Sequence, residues 1–206
     1  MRLEHALRLR ALAACCAASA VIHLSGCASV ERAVEPGLAT PAALEERTAV
    51  ERLRSAERFA LTGRFSARHD GQQLAGQFSY RTDGANTVAE VFSPLGTVLA
   101  RLTVDARGAT LALTDGTVRN DASVASLIEQ FTRLKVRDEA LTHWLRGLPE
   151  APSELGLADR FVEHGWAVEV LSRHEDGSAA PRRMRWQPEG SPDSEILWVL
   201  DRWVFD

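Results

Sequence analysis

Cysteine is scarce in this sequence. The 206 residues hold three, at positions 15, 16 and 27. Cys15 and Cys16 lie inside an N-terminal apolar run, so once that run is removed no disulfide or cysteine metal site can form within one chain. Lysine is scarcer still: of the 24 basic residues only Lys135 is a lysine. The arginine excess reads as genome composition, not as a phosphate-binding device. There is no Gly-rich phosphate loop, no Gly-x-Ser-x-Gly elbow and no His-Glu-x-x-His. His69, His143, His164 and His174 are scattered without metal-ligand spacing. Glu45-Glu46 and Asp138-Glu139 read as solvated helix charges. No catalytic residue, metal or cofactor is therefore expected. Internal repeats and low-complexity tracts are also missing.

One apolar run is present, and its place matters. Arg2, Arg8 and Arg10 precede Ala11 to Leu24, a run too short to span a bilayer but right for a secretion signal. Leu24-Ser25-Gly26-Cys27 closes it in the pattern of a lipoprotein signal. Cleavage is expected between Gly26 and Cys27, with the Cys27 thiol taking a diacylglycerol and its freed amine a further acyl chain. Each buried methylene contributes about 0.8 kcal/mol, so two or three chains anchor permanently. Ala28 and Ser29 follow; the absence of Asp there points to the outer membrane of a Gram-negative envelope, with the domain facing the periplasm. Removing Arg2, Arg8, Arg10 and Glu4 leaves 21 basic and 27 acidic residues, a net charge of −6, which argues against a nucleic-acid partner. The expected organisation is a signal over 1–26, a lipidated cysteine and flexible tether over 27–40, and one folded domain over 41–206.

Thr40-Pro41 marks a helix start, with the helix running to about Glu57 and Leu44, Val50 and Leu53 as its apolar points. From Phe59 the period becomes two. Phe59, Leu61, Gly63, Phe65 and Ala67 share one face, and Leu74, Gly76, Phe78 and Tyr80 continue it after a His69-Asp70-Gly71 hairpin signal. Asp83-Gly84, Pro94-Leu95-Gly96, Arg107-Gly108 and Asp115-Gly116 separate further strands over Thr87–Phe92, Val98–Val104, Ala109–Leu113 and Thr117-Val118. Asn120-Asp121 is expected to cap a helix from Ala122 to about Leu134, and a short helix follows from Asp138 to Arg146. Strands return at Trp166–Leu171, Arg182–Trp186 and Glu195–Phe205. An antiparallel sheet this long must curl or cover its apolar face, giving a barrel or half-barrel with a helical lid and an apolar cavity. Trp144, Trp166, Trp186, Trp198 and Trp203 are expected in the core and rim, some lining that cavity.

Ser93-Pro94-Leu95-Gly96 suits a type I turn with Leu95 at its corner. By itself it is an ordinary turn. Its neighbours give it context: Leu61-Thr62-Gly63-Arg64-Phe65, Gly76-Gln77-Phe78-Ser79-Tyr80, Val91-Phe92-Ser93-Pro94-Leu95-Gly96, the run from Leu141 to Pro149, Gly165-Trp166 and Trp203-Val204 occur in that order after the lipoprotein signal. Together they resemble the LolB family of outer-membrane lipoprotein receptors. Ser93 and Tyr80 depart from the family, which often has Asn and Trp there. The resemblance implies a mainly β fold with α: an open antiparallel half-barrel with helices covering its mouth. It implies receipt of lipoproteins from a LolA-type periplasmic carrier, with cargo acyl chains held in the apolar interior. It implies a membrane-insertion turn formed by Pro94, Leu95 and Gly96. A monomer suffices for such transfer. A scaffold lipoprotein that binds no acyl chain is the competing reading, and an envelope hydrolase would need a nucleophile outside any recognised motif.

Overall fold

The computed structural model describes residues 40–120, 122–151 and 157–206. The signal, Gly26, Cys27, all of the tether but Thr40, and Asp121 lie outside the described residues. Helix α1 spans Pro41–Ser55, with Thr40 Oγ1 accepting from the Ala43 amide as N-cap and Pro41 in the first turn. It stops two residues short of Glu57. Ala49, Val50 and Leu53 are buried, while Leu44 is exposed, so the helix lies on the body by its C-terminal half.

Ten strands follow, in one antiparallel sheet. They are β1 (Phe59–His69), β2 (Gln72–Thr82), β3 (Thr87–Phe92), β4 (Val98–Asp105), β5 (Gly108–Leu113), β6 (Val118–Asn120), β7 (Arg160–Glu163), β8 (Trp166–Arg173), β9 (Pro181–Pro188) and β10 (Glu195–Phe205). Their order across the sheet is β6-β5-β4-β3-β2-β1-β10-β9-β8-β7. Two meanders, β1 to β6 and β7 to β10, are thus joined along β1 and β10. The order is linear and does not close, so the sheet is an open half-barrel, as the resemblance implied. Helices α2 (Val124–Thr132) and α3 (Asp138–Leu145) come between the meanders and pack on the face the sheet turns inward.

Strict alternation makes that inner face. Phe59, Leu61, Phe65, Ala67, Phe78, Tyr80, Ala89 and Val91 are buried with Leu127 and Ile128 of α2 and Leu141, Trp144 and Leu145 of α3. The β1–β2 turn has Asp70 at φ 49° and Gly71 at φ 74°, the two positive values of a type I′ hairpin. Leu74 is in phase with the core but exposed, because it lies on β2 beyond the last residue paired with β3, Gln77.

Two expectations need correcting. Asn120 is the last residue of β6 and pairs with Thr110, and the cap of α2 is Ser123. Ser123 Oγ accepts from the Ser126 amide while Ser126 Oγ accepts from the Ser123 amide, a reciprocal capping box built from two serines. The second correction is β7. Its four residues pair with β8 through a turn at His164 (φ 51°) and Gly165 (φ 76°), again type I′.

Glycines shape the curl. On β1 and β2, Gly63 pairs with Phe78 and Gly76 with Phe65. A Cβ on Gly76 would stand 3.0 Å from Phe65 Cε1, and one on Gly63 would stand 3.1 Å from Phe78 Cε1. Each ring therefore lies over the glycine across from it, which lets the strands bend while keeping apolar cover.

One buried cation ties the helices together. Arg146 follows α3 and is 5% exposed. Its Nη1 donates to the carbonyls of Leu53 (3.2 Å), Arg54 (2.7 Å) and Ala56 (3.1 Å) at the end of α1, and its Nε donates to the Thr142 carbonyl. Burial lowers its pKa, and Tyr80 acts in the opposite direction. The partners are carbonyls that a helix C-terminus leaves unpaired, where positive charge is favoured. Arg146→Met keeps the length of the stem and removes every donor. We expect a loss of about 2 kcal/mol in denaturant unfolding. An unchanged midpoint would show that water replaces the guanidinium.

Candidate functional site

The segment from Val91 to Ala100 carries no charged side chain. It runs off β3, turns at the rim of the sheet and returns on β4. The turn is closed twice: the Gly96 amide donates to the Ser93 carbonyl at 2.9 Å, and the Ser93 amide donates to the Thr97 carbonyl at 2.8 Å. Ser93 Oγ also accepts from the Thr97 amide. The positive φ of the turn, 84°, falls on Gly96. That is a type I turn with its left-handed residue fourth, the arrangement the sequence predicts. From β2, Gln77 Nε2 donates to the Pro94 carbonyl at 3.3 Å. Alternation predicts that Gln77 faces outward, but no sequence signal names its acceptor.

The turn presents its middle residue to solvent. Leu95 is 95% exposed, the largest value among the exposed large apolar residues described. Pro94 and Gly96 are exposed beside it. A rigid turn therefore holds one leucine in water, with no charge in the surrounding segment. Such a group favours transfer into an apolar phase by about 1.5–3 kcal/mol.

An apolar cavity lies between the inner sheet face and α2. Its volume is about 50 Å³, and its wall includes Phe65, Phe78, Tyr80, Leu127, Phe131 and Trp198. The sheet side comes from the consecutive strands β1, β2 and β3 and from β10, which lies about a hundred residues further along the chain. Ordinary ligand pockets measure about 300–1,000 Å³. With α2 in this position the space is too small for a long chain.

The five tryptophans sort by partner. Trp144, Trp166 and Trp203 donate their Nε1–H to Glu163 Oε2, the Lys135 carbonyl and the Pro181 carbonyl. Trp186 Nε1 and Trp198 Nε1 are buried with no partner. Glu163 also accepts from the amides of Glu150 and Ala151. Burial raises its pKa, but these hydrogen bonds outweigh that and hold it below the usual value. Glu163 thus fixes α3 to β7 as an anion, and nothing in its sequence setting foretells this.

The histidines have local duties. His164 Nε2 lies 2.8 Å from Glu150 Oε2, His69 Nδ1 lies 2.9 Å from Ser194 Oγ, and His174 Nε2 lies 2.9 Å from the Leu200 carbonyl. Among the described residues, no three His, Cys, Asp or Glu side chains are placed to hold a metal ion. Among those residues also, no helix is long and apolar enough to cross a membrane.

Comparison with known proteins agrees with this geometry. The family model described as "Outer membrane lipoprotein LolB" matches residues 57–203, which span the sheet from two residues before β1 to within β10. The outer-membrane lipoprotein LolB of Azoarcus sp. is 30% identical over 186 residues, covering 87% of this chain and 94% of that protein. The LolB of Cupriavidus pinatubonensis is 34% identical over 151 residues, covering 64% of this chain and 72% of that protein. Among solved structures, a LolA superfamily protein from Nitrosomonas europaea overlays with a TM-score of 0.48 at 7% identity, covering 78% of this chain and 93% of that one. That likeness is distant and adds nothing to the strand order read directly.

Proposed function

The chain belongs to the LolB family of outer membrane lipoproteins, and from that premise we propose that it receives lipoproteins from a LolA-type periplasmic carrier and inserts them into the outer membrane. One observation supports this reading above others. An apolar inner face, roofed by a helix, belongs to the same rigid sheet as a leucine held almost fully in water.

The physical need is clear. An acyl chain of about fifteen methylenes would cost roughly 12 kcal/mol to expose to water. A lipoprotein carries two or three such chains, so it must pass from one apolar enclosure to another. On this reading the carrier docks at the mouth, α2 lifts, and the chains slide beneath it against the inner face. Transfer runs downhill, from weaker to stronger acyl binding and then to bilayer, with no nucleotide consumed at this step. Cys27, cleaved from Gly26 and acylated, holds the domain at the membrane. Pro94, Leu95 and Gly96 form the turn that enters the leaflet. One copy of the chain is sufficient.

The test uses a soluble form beginning at Ala28, mixed with carrier loaded with radiolabelled lipoprotein. Cargo is expected to change hands without ATP, as read by pull-down. A folded sample that takes none would remove the reading. The size of the cavity favours one rival, a scaffold lipoprotein that binds no acyl chain. A fluorescent fatty acid separates the two: a receptor shields the probe from water, and a scaffold leaves it quenched in solvent.

A further inference from the structure

Leu74 departs from the pattern that the rest of the inner face keeps. On β2 the inward positions are Leu74, Gly76, Phe78 and Tyr80; Leu74 pairs with Ala67 of β1, and Gly76 with Phe65. Ala67 pairs in turn with Ile196 of β10. Ala67 and Ile196 are 3% and 0% exposed, yet Leu74, at the end of the same apolar row, is 37% exposed.

The cause is the neighbouring strand. β2 begins at Gln72, but its pairing with β3 stops at Gln77 and Phe92. From there β3 leads into the turn that Gln77 holds through the Pro94 carbonyl. The first half of β2 and this turn therefore form the two sides of a notch in the sheet. Leu74 lies three residues beyond Gln77 on one side, and Leu95 three beyond Phe92 on the other. Both sides lack charge. Gly71 to Tyr80 and Val91 to Ala100 hold no Asp, Glu, Lys or Arg, although these make up 25% of the chain. Gln72 to Ala75 and Pro94 to Thr97 are exposed, so burial does not account for the missing charges.

The notch leads to the cavity. Inward positions on one strand follow each other about every 6.8 Å, which places Leu74 about 14 Å from Phe78 of the cavity wall. The step between them is Gly76, over which Phe65, another wall residue, lays its ring. From wall to rim the surface is ring, glycine and leucine, with no charge to cross. A single exposed leucine is ordinary. One that ends a buried apolar row, at the uncharged side of a cavity, calls for an occupant. A docking protein would gain steering and register from charges at this rim, and none is there. An acyl chain needs none and gains from apolar cover along its whole length. We infer that the notch is the doorway through which cargo acyl chains pass between the cavity and the membrane, with Leu74 the residue they rest on at the rim. This rests on the acyl-binding reading above and deepens it by naming the route; Leu95 then stands where the chain emerges.

The experiment places the photoreactive residue p-benzoylphenylalanine at one position at a time in the full chain carrying Cys27→Ala, so that no acyl group of its own competes. The positions are Leu74, Phe131 of the cavity wall, and Val88, which is 36% exposed on the outer face of β3. Val88 matches Leu74 in exposure and differs in face. The probe is a dipalmitoyl cysteinyl lipopeptide radiolabelled in its acyl chains. Illumination is expected to label the protein through positions 74 and 131 and not through 88. Leu74→Asp should slow passage of the lipopeptide to phosphatidylcholine vesicles about fivefold at an unchanged melting temperature, while Val88→Asp leaves the rate as it was. Label at 131 with none at 74, or an unchanged rate in Leu74→Asp, overturns the inference and leaves acyl binding intact, because the chains then take another route. Equal label at 74 and 88 overturns it too, since the contact would be adhesion to the surface at large. Label at 74 without 131 does the same, because such a chain never reaches the wall. If none of the three positions is labelled, the acyl-binding reading falls, and this inference with it.

Discussion

Replacing Leu95 with glutamate will leave the domain folded and able to receive cargo, and will cut delivery into membrane at least tenfold. Leu95 is 95% exposed, and the turn around it is closed by backbone hydrogen bonds and by Ser93 and Gln77. A substitution that touches no neighbour changes stability by less than about 0.5 kcal/mol. The same substitution changes the meeting with a bilayer. It forfeits roughly 1.5–3 kcal/mol of leucine transfer and puts a charge into a segment, Val91 to Ala100, that has none. About 1.4 kcal/mol is already a factor of ten. Leu95 cannot be the anchor, since its contribution is small beside acyl chains at Cys27; its proposed part is local, where cargo leaves the cavity. The measurement is the fraction of labelled lipoprotein that floats with vesicles after transfer, with a thermal melt on the same sample. Undiminished flotation would refute the role, and a lowered melting temperature would mean that the turn serves the fold.

What the sequence makes legible follows from how local each interaction is. Alternation along β1 and β2, and turns such as Asp70-Gly71, are written in adjacent residues, so the meander can be read directly. The four-residue β7 is too short to show alternation, and its only sign is the His164-Gly165 turn, whose positive φ falls on a histidine as well as a glycine. The cap of α2 is displaced because Asn120 is still paired in the sheet, and the capping box uses serine where glutamate or glutamine is usual. The exposed turn is local and legible. The cavity is not, because its wall joins Phe65 to Trp198 across the long seam between the first and last strands. The Arg146 clamp is hidden for the same reason: its acceptors on and after α1 lie about ninety residues away. The orphan indoles are invisible until every neighbour is known.

That seam carries the largest expected loss of stability. Gly63→Val is expected to destabilise the domain by about 3 kcal/mol or more. Gly63 pairs with Leu200 on β10 and with Phe78 on β2, where the two meanders meet. The register slips there by one residue: Thr62 faces Arg202 and Gly63 faces Leu200, so Asp201 is the bulged residue. Arg64 grips Asp201 through two hydrogen bonds, of 3.1 and 3.2 Å, on the solvent side. On the inner side a Cβ at position 63 would overlap the Val199 carbonyl oxygen and press on Phe78 Cε1. The carbonyl belongs to the backbone of β10 and cannot rotate away as a side chain would. The strands must part, or the bulge must be lost. Losing it would slip the register of the later pairs by one residue and turn the side chains of β10 on that side of it to the other face, Trp198 and Ile196 among them. Gly71, by contrast, has open space around it, but at φ 74° any side chain would be strained, so Gly71→Ala serves as the comparison for strain without a clash. Denaturant unfolding of both variants separates the two effects, with a much lower midpoint for Gly63→Val. Equal midpoints would mean that the seam yields easily, and the half-barrel would then owe its curl to the helices it holds and not to the glycines of its own strands.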